Sequence, residues 1–178
     1  MQQNFIAIAC INKSLSLGRD GEQLYYIRAD LANFKRMTLG NVVIMGRNTF
    51  EKTLNSKPLP NRVNIIITSN EDYSVDLTDD ADVFIAHSTE EAAEYCKMLF
   101  PDREWFVAGG GIVYKDFVDK GLLGEMRLTI VNDEEDGNVK FPEFNTDNWY
   151  EYYRSYTQRD QINDISYRYV ILKKVEGK

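Results

Sequence analysis

A carboxylate sits where a helix should carry apolar side chains. In "YIRADLANFKRMTLG" (26–40), Ile27, Leu31 and Phe34 recur at helical spacing and share one apolar stripe. Asp30 lies at the edge of that stripe, roughly 60° from Ile27 and between the directions of Phe34 and Met37. Two readings fit. Near a helix start a carboxylate gains ~0.3–1 kcal/mol from the dipole and can reach back to water. Facing a cleft, its two acceptor oxygens would suit a ligand ring carrying adjacent N–H and NH2 groups. Apolar walls would then raise its pKa and make it useful for proton delivery. Position alone leaves both open.

Two strand-to-helix junctions carry parts suited to an anionic cofactor. In "IMGRNT", Gly46 ends a strand, and Arg47, Asn48 and Thr49 open a helix whose free N–H groups favour an anion. Arg47 adds a bidentate phosphate donor. The plainer reading is that Asn48 or Thr49 caps the helix while Arg47 is solvated. In "VAGGGIVY", consecutive glycines let a backbone approach a ligand closely, although the run lacks the last glycine of a GxGxxG fingerprint. By itself it can be no more than a turn that permits tight packing. Together the junctions favour a nucleotide.

The elements that position these residues follow from apolar runs. "FIAIACI" (5–11), "NVVIMG" (41–46) and "RVNIIITS" (62–69) read as strands covered on both faces. "DVFIAH" and "EWFVAGGG" add two more, each followed by a helix; Ser88 or Thr89 can cap the first of these, with Glu90 and Glu91 at its positive end. A polar stretch over residues 12–27 reads as a long loop, and the acidic segment 71–82 as an exposed connection. After Gly121, "EMRLTIVN", "NWYEYYRSYT" and "ISYRYVILKKV" are strands with little helix between them, which suggests antiparallel pairing. The expected architecture is a single α/β domain over residues 1–178, three layers thick. Its central sheet is mostly parallel with an antiparallel C-terminal edge. In such a sheet ligands bind outside the carboxyl ends of the strands, where both junctions fall.

Composition narrows the classes further. The chain has 178 residues and a net charge of −7, which makes a broad nucleic-acid-binding surface unexpected. No apolar run approaches the roughly 18 residues of a membrane span, and a strand-like segment follows Met1 where a signal peptide would lie. His87 is the only histidine, and Cys10 and Cys96 share no metal-ligand spacing, so no metal site is expected. Cys10 interrupts an apolar strand as a buried thiol, consistent with reducing cytoplasm.

Taken in order, the pieces resemble the dihydrofolate reductase family. "ADLANFKRMTLGNVVIMGRNTFE" is similar to its pterin-binding helix, second strand and cofactor junction. "KPLPNRVNIIITS", "VAGGGIVYKDF" and "EMRLTIVN…DGNVKFPEF…W" resemble its later motifs. The resemblance runs from about residue 5 to residue 172 and is weakest over 71–103. It implies hydride transfer from NADPH to C6 of 7,8-dihydrofolate with protonation at N5, giving tetrahydrofolate, by a cytoplasmic monomer. By position, Asp30 would bind the pterin 2-amino and N3 groups and promote protonation, with Thr129 supporting it and Tyr25 offering a hydroxyl to a pterin-bound water. Ile8, Cys10, Leu31, Phe34 and Leu59 would line the substrate slot, and Arg62 would clamp the glutamate α-carboxylate.

On the cofactor side, the resemblance implies contacts from Ala9, Leu17, Gly18 and Gly46, and phosphate contacts from Arg47, Asn48 and Thr49. Thr68 and Ser69 would meet the adenosine end, Ser69 near its 2′-phosphate. Ala108, Gly109, Gly110, Gly111, Ile112, Val113 and Tyr114 would line the nicotinamide and pyrophosphate path, with a cis peptide at Gly109–Gly110. The 12–27 loop would be a lid that excludes water. There the sequence departs from the family pattern. Leu24 and Tyr25 stand for Pro-Trp and Arg28 for a second proline, so a more flexible lid is expected. Asn48, Ile112 and Asn138 replace a basic residue, an arginine and an aspartate, and two extra residues lengthen "KTLNSK". Two other readings stay in play: a related reductase of another heterocycle, and a nucleotide-binding module without catalysis.

Overall fold

Five apolar runs set the middle of the molecule, and the computed structural model, which describes residues 4–76 and 79–177, joins them in one sheet. The first is β1 (Phe5–Asn12). A hairpin of β2 (Ser16–Arg19) and β3 (Glu22–Gln23) leads into helix α1 (Arg28–Thr38). Then come β4 (Val42–Gly46), α2 (Arg47–Thr53), β5 (Val63–Ile67), β6 (Asp82–Ala86) and α3 (Thr89–Leu99). β7 (Trp105–Val107) and α4 (Gly111–Asp119) precede β8 (Leu123–Val131), β9 (Val139–Lys140), β10 (Trp149–Arg154), β11 (Gln158–Asp160) and β12 (Ile165–Lys174).

The main sheet runs β10-β12-β8-β1-β7-β4-β5-β6, with β11 also paired to β12. From β8 to β6 every pairing is parallel, while β12 is antiparallel to β8, β10 and β11. The expected antiparallel edge is present, with one refinement: β8 itself is parallel to β1, so the change of direction falls between β8 and β12. Strand ends also contract. The third run stops at Ile67 instead of residue 69, and "EWFVAGGG" is strand only to Val107, because its glycines turn the chain.

Strand alternation sorts the side chains onto two faces. Ala7 and Ile11 of β1 join Met126 and Leu128 of β8 and the inner faces of α3 and α4 in the larger core. Ile6 and Ile8 point the other way, with Phe106, toward Phe34 and Met37 of α1, while Phe50 of α2 packs on Val43, Met45 and Ile66 nearby. The result is three layers. Ser88 caps α3 by accepting from the Glu91 N–H at 3.1 Å; the Thr89 hydroxyl instead donates to Asp116.

The 12–27 stretch is more ordered than a plain loop. β2 pairs β3 on one side and β9 on the other, forming a small second sheet. Gly137, just before β9, must be glycine because a Cβ there would stand 2.4 Å from the Gly18 carbonyl oxygen.

Candidate active site

A cleft of about 2000 Å³ runs along the carboxyl ends of β1, β4, β5 and β7. Its walls answer the question raised by α1. Within that helix only Thr38 is fully buried; Leu31, Phe34 and Met37 are half-buried because they face the cleft instead of a closed core. The single stripe therefore divides. Ile27, just before the helix, is 1% exposed and packs with Val131 and Tyr167, whereas Leu31 and Phe34 form cleft wall.

Asp30 lies on that wall. The Thr129 hydroxyl donates to its Oδ1. Sheet register makes the contact: Cys10 of β1, Thr129 of β8 and Tyr169 of β12 form one row across neighbouring strands. All three side chains line the cleft beside Asp30. Burial raises the Asp30 pKa above the usual carboxylate range, and the Thr129 hydrogen bond opposes part of that rise. Burial also pushes the neighbouring Cys10 thiol and Tyr114 phenol far up, so both stay protonated and neutral at physiological pH. Cys10 is half-buried, less enclosed than its strand run implied. At this end of the cleft Asp30 is the carboxyl set among apolar side chains, and burial favours its protonated form more than water would.

Ile8 and Leu59 line the same end. Arg62 is 5% exposed and is not among the lining residues. Its Nε donates to the Pro60 carbonyl at 3.0 Å and its Nη1 to Thr38 Oγ1 at 3.1 Å, which fixes it beside the C-terminal turn of α1. No carboxylate pairs with it among the described residues, and burial lowers its pKa.

Tyr25 lines the cleft but its hydroxyl is engaged within the lid. It donates to Asp133 Oδ2 at 2.6 Å and accepts from Asn12 Nδ2 at 2.9 Å. That single proton is therefore committed away from a water at the cleft, because Asp133 is the stronger acceptor. Asn12, 1% exposed and absent from the sequence-based set, organises this corner. Its Oδ1 accepts from the Ser14 and Ser16 N–H groups, both at 3.0 Å, and Nδ2 also reaches the Glu135 carbonyl at 2.7 Å. Asn138 exchanges two hydrogen bonds with Asp20, and Arg19 pairs with Glu135 at 2.9 Å. These contacts tie the lid to the 133–140 segment.

The other end of the cleft is polar. Ala9, Leu17, Gly18, Gly46, Arg47, Asn48, Thr49, Thr68 and Ser69 line it, as do Ala108 and Gly110 to Tyr114. Gly109 does not line it; its carbonyl accepts from the Gly46 N–H at 2.7 Å, tying the two junctions together. The Gly109–Gly110 peptide is cis, as the resemblance implied. Gly109 has φ +104°, and a Cβ there would meet the Tyr114 ring at 2.8 Å. The Tyr114 hydroxyl in turn donates to the Ile8 carbonyl at 2.6 Å, linking this end to the first strand.

Neither Asn48 nor Thr49 caps α2. The N-cap positions of α2 and α4 are Gly46 and Gly110, and neither helix has a side-chain cap. Both helix starts thus present uncapped N–H groups to one cleft, whose lining also includes Arg47 and Thr49. A Cβ on Gly110 would approach Thr49 Oγ1 to 3.1 Å, so glycine keeps that turn open. The donor set and the space suit the pyrophosphate of a dinucleotide. Tyr73, outside the cleft lining but under the Arg47 guanidinium, lies in an acidic segment whose sequence suggests only an exposed connection. Tyr169 was hidden because its place beside Thr129 depends on strand register, although the alternation of "ISYRYVI" carries part of that signal.

Comparison with known proteins agrees with this geometry. The sequence model described as dihydrofolate reductase matches residues 4–174. The dihydrofolate reductase of Bacillus subtilis is 30% identical over 158 residues, covering 89% of this chain and 87% of that protein. That of Haemophilus influenzae is 32% identical over 156 residues, covering 88% and 89%. Among solved structures, dihydrofolate reductase from Enterococcus faecalis, complexed with NADP(H) and RAB-propyl, superposes with a TM-score of 0.82 at 26% identity, covering 97% of both chains.

Proposed function

The chain belongs to the dihydrofolate reductase family and is an NADPH-dependent enzyme that reduces 7,8-dihydrofolate to tetrahydrofolate; we propose that Asp30 binds the pterin and promotes protonation at N5. The observation that carries this role is the Asp30 carboxyl on an apolar cleft wall, with its pKa raised by burial and its Oδ1 held by Thr129. NADPH, when bound along the glycine turns, supplies the hydride that goes to C6.

The chain's own groups do the rest. Thr129 occupies one acceptor site of Asp30, which leaves lone pairs on both oxygens for the pterin 2-amino and N3 groups. Burial raises the pKa of this carboxyl, which favours its holding a proton that can pass to N5 by way of water. Cys10 and Tyr114 stay neutral and do not compete as bases. Ile8, Leu31, Phe34 and Leu59 exclude solvent from the rings. Arg62, fixed by Thr38 and Pro60 and without a carboxylate partner among the described residues, receives the substrate's α-carboxylate. Arg47, Thr49, Ser69 and the uncapped helix starts receive the dinucleotide. With Tyr25 engaged at Asp133, its part is to hold the lid instead of a water.

The strands between residues 5 and 174 gather into one nine-stranded sheet and a small three-stranded one beside it, which supports a single domain over residues 1–178. A net charge of −7 argues against nucleic acid as a partner, and the two free cysteines fit the reducing cytoplasm.

The test is Asp30→Asn. Equilibrium binding of NADPH is expected to be unchanged, while turnover at pH 7 falls by about 10²–10⁴, the range of a general acid, with a smaller deficit at acidic pH. Wild-type turnover in the variant would overturn the role of Asp30.

A further inference from the structure

Tyr73 lies beyond β5, in the stretch where the family pattern fades, yet its side chain is half-buried. It packs against the cluster that contains Phe50 of α2 and Ile66 of β5, so its ring has a fixed seat. The Arg47 guanidinium stands over that ring, with Cζ 5.6 Å from the centroid. Glu51, one turn further along α2, has Oε1 3.8 Å from Arg47 Nε and also accepts a hydrogen bond from the Tyr73 hydroxyl. Arg47 and Ser69 both line the cleft, whereas Tyr73 and Glu51 stand behind Arg47, outside that lining.

We propose that Tyr73 is a positioning residue for coenzyme selectivity: it holds the Arg47 guanidinium at the wall of the cleft that Ser69 also lines, so that a nucleotide with a 2′-phosphate is taken in preference to one with a free 2′-hydroxyl. This rests on the reading above that the cleft binds NADPH. A ring face attracts the cation without accepting its N–H donors, so the planar fork stays available to a phosphate. Glu51 alone would draw the guanidinium back along α2 and neutralise it. The seated ring offers a competing position and reduces the rotamer freedom that Arg47 loses on binding. Selectivity in this arrangement comes from a residue that never touches the coenzyme.

Calorimetric titration of the full-length chain with NADP+ and with NAD+ tests this. Tyr73→Leu and Tyr73→Met keep apolar bulk without a π face; Tyr73→Phe keeps the face. In the first two, the Kd for NADP+ is expected to rise about three- to fivefold while that for NAD+ is unchanged, and Tyr73→Phe should stay within about twofold of wild type. Equal weakening for both nucleotides would show a merely structural role and overturn the proposal, as would Tyr73→Phe behaving like Tyr73→Leu. Using two bulk-keeping variants means that the failure of one to fold leaves the other to decide. A wild-type chain that binds both nucleotides equally would overturn the coenzyme reading itself, a separate failure visible before any variant is compared.

Discussion

The two ends of the cleft are built from different parts of the chain. At the Asp30 end, Ile8, Cys10, Thr129 and Tyr169 project from strand interiors, where register fixes them to their neighbours. At the Arg47 end, the donors are backbone N–H groups at two helix starts and side chains as exposed as Ser69. On the proposed reading, one end concentrates its chemistry in a single half-buried carboxyl and the other spreads charge recognition over many weak donors. A single substitution should therefore do more damage at the first end than at the second.

Arg62→Leu offers the largest test of whether the ends act independently. A charged hydrogen-bonding pair contributes about 1.5–3 kcal/mol, so its loss should raise the KM for dihydrofolate roughly 10- to 100-fold. The KM for NADPH should not move. Initial rates with each substrate varied in turn would check this, and equal effects on both would place Arg62 outside the substrate site.

Tyr114→Phe should blur the distinction, because this residue joins the ends. Its hydroxyl, on a side chain 3% exposed, satisfies the Ile8 carbonyl, and its ring lies against Gly109. Removing the hydroxyl leaves a buried acceptor unpaired, at a cost of about 1–3 kcal/mol. Urea unfolding should show that loss, and binding of both ligands should weaken together. A variant as stable as wild type would mean that the two ends are held in place separately.

The same contrast explains how much could be read in the sequence. The cofactor end is local: "IMGRNT" and "VAGGGIVY" each hold strand end, turn and helix start within a few residues, so both junctions were legible. What could not be read there was capping, since Asn48 and Thr49 look like caps while Gly46 takes the position. The substrate end is non-local. That Thr129 meets Asp30, 99 residues away in the chain, follows from strand order and register, which periodicity does not contain; the family resemblance supplied the pairing. Tyr73 escaped both routes, being one aromatic residue in a polar, acidic segment with no regular period. The Asn12–Tyr25–Asp133 hydrogen bonds escaped too, because a loop's internal partners leave no period in sequence.

The smallest expected effect bears on the two readings of Asp30 with which the sequence began. If the carboxylate were a first-turn acid stabilised by the helix dipole, replacing it with asparagine would cost stability at neutral pH. In the cleft the balance reverses. Burial, the largest influence, raises the folded-state pKa above the unfolded one. Between those two values the folded chain holds a proton that the unfolded chain has released, so stability falls as pH rises through that window. The stabilising contribution of the protonated group is complete below about pH 4, the ordinary carboxylate value, and is lost above the raised one. Asp30→Asn has no such loss. Its melting temperature should exceed that of wild type at neutral pH, with the gap closing as the pH falls toward the carboxylate range. A variant that melts lower than wild type at neutral pH would return Asp30 to the helix dipole and leave the substrate end without its titrating group.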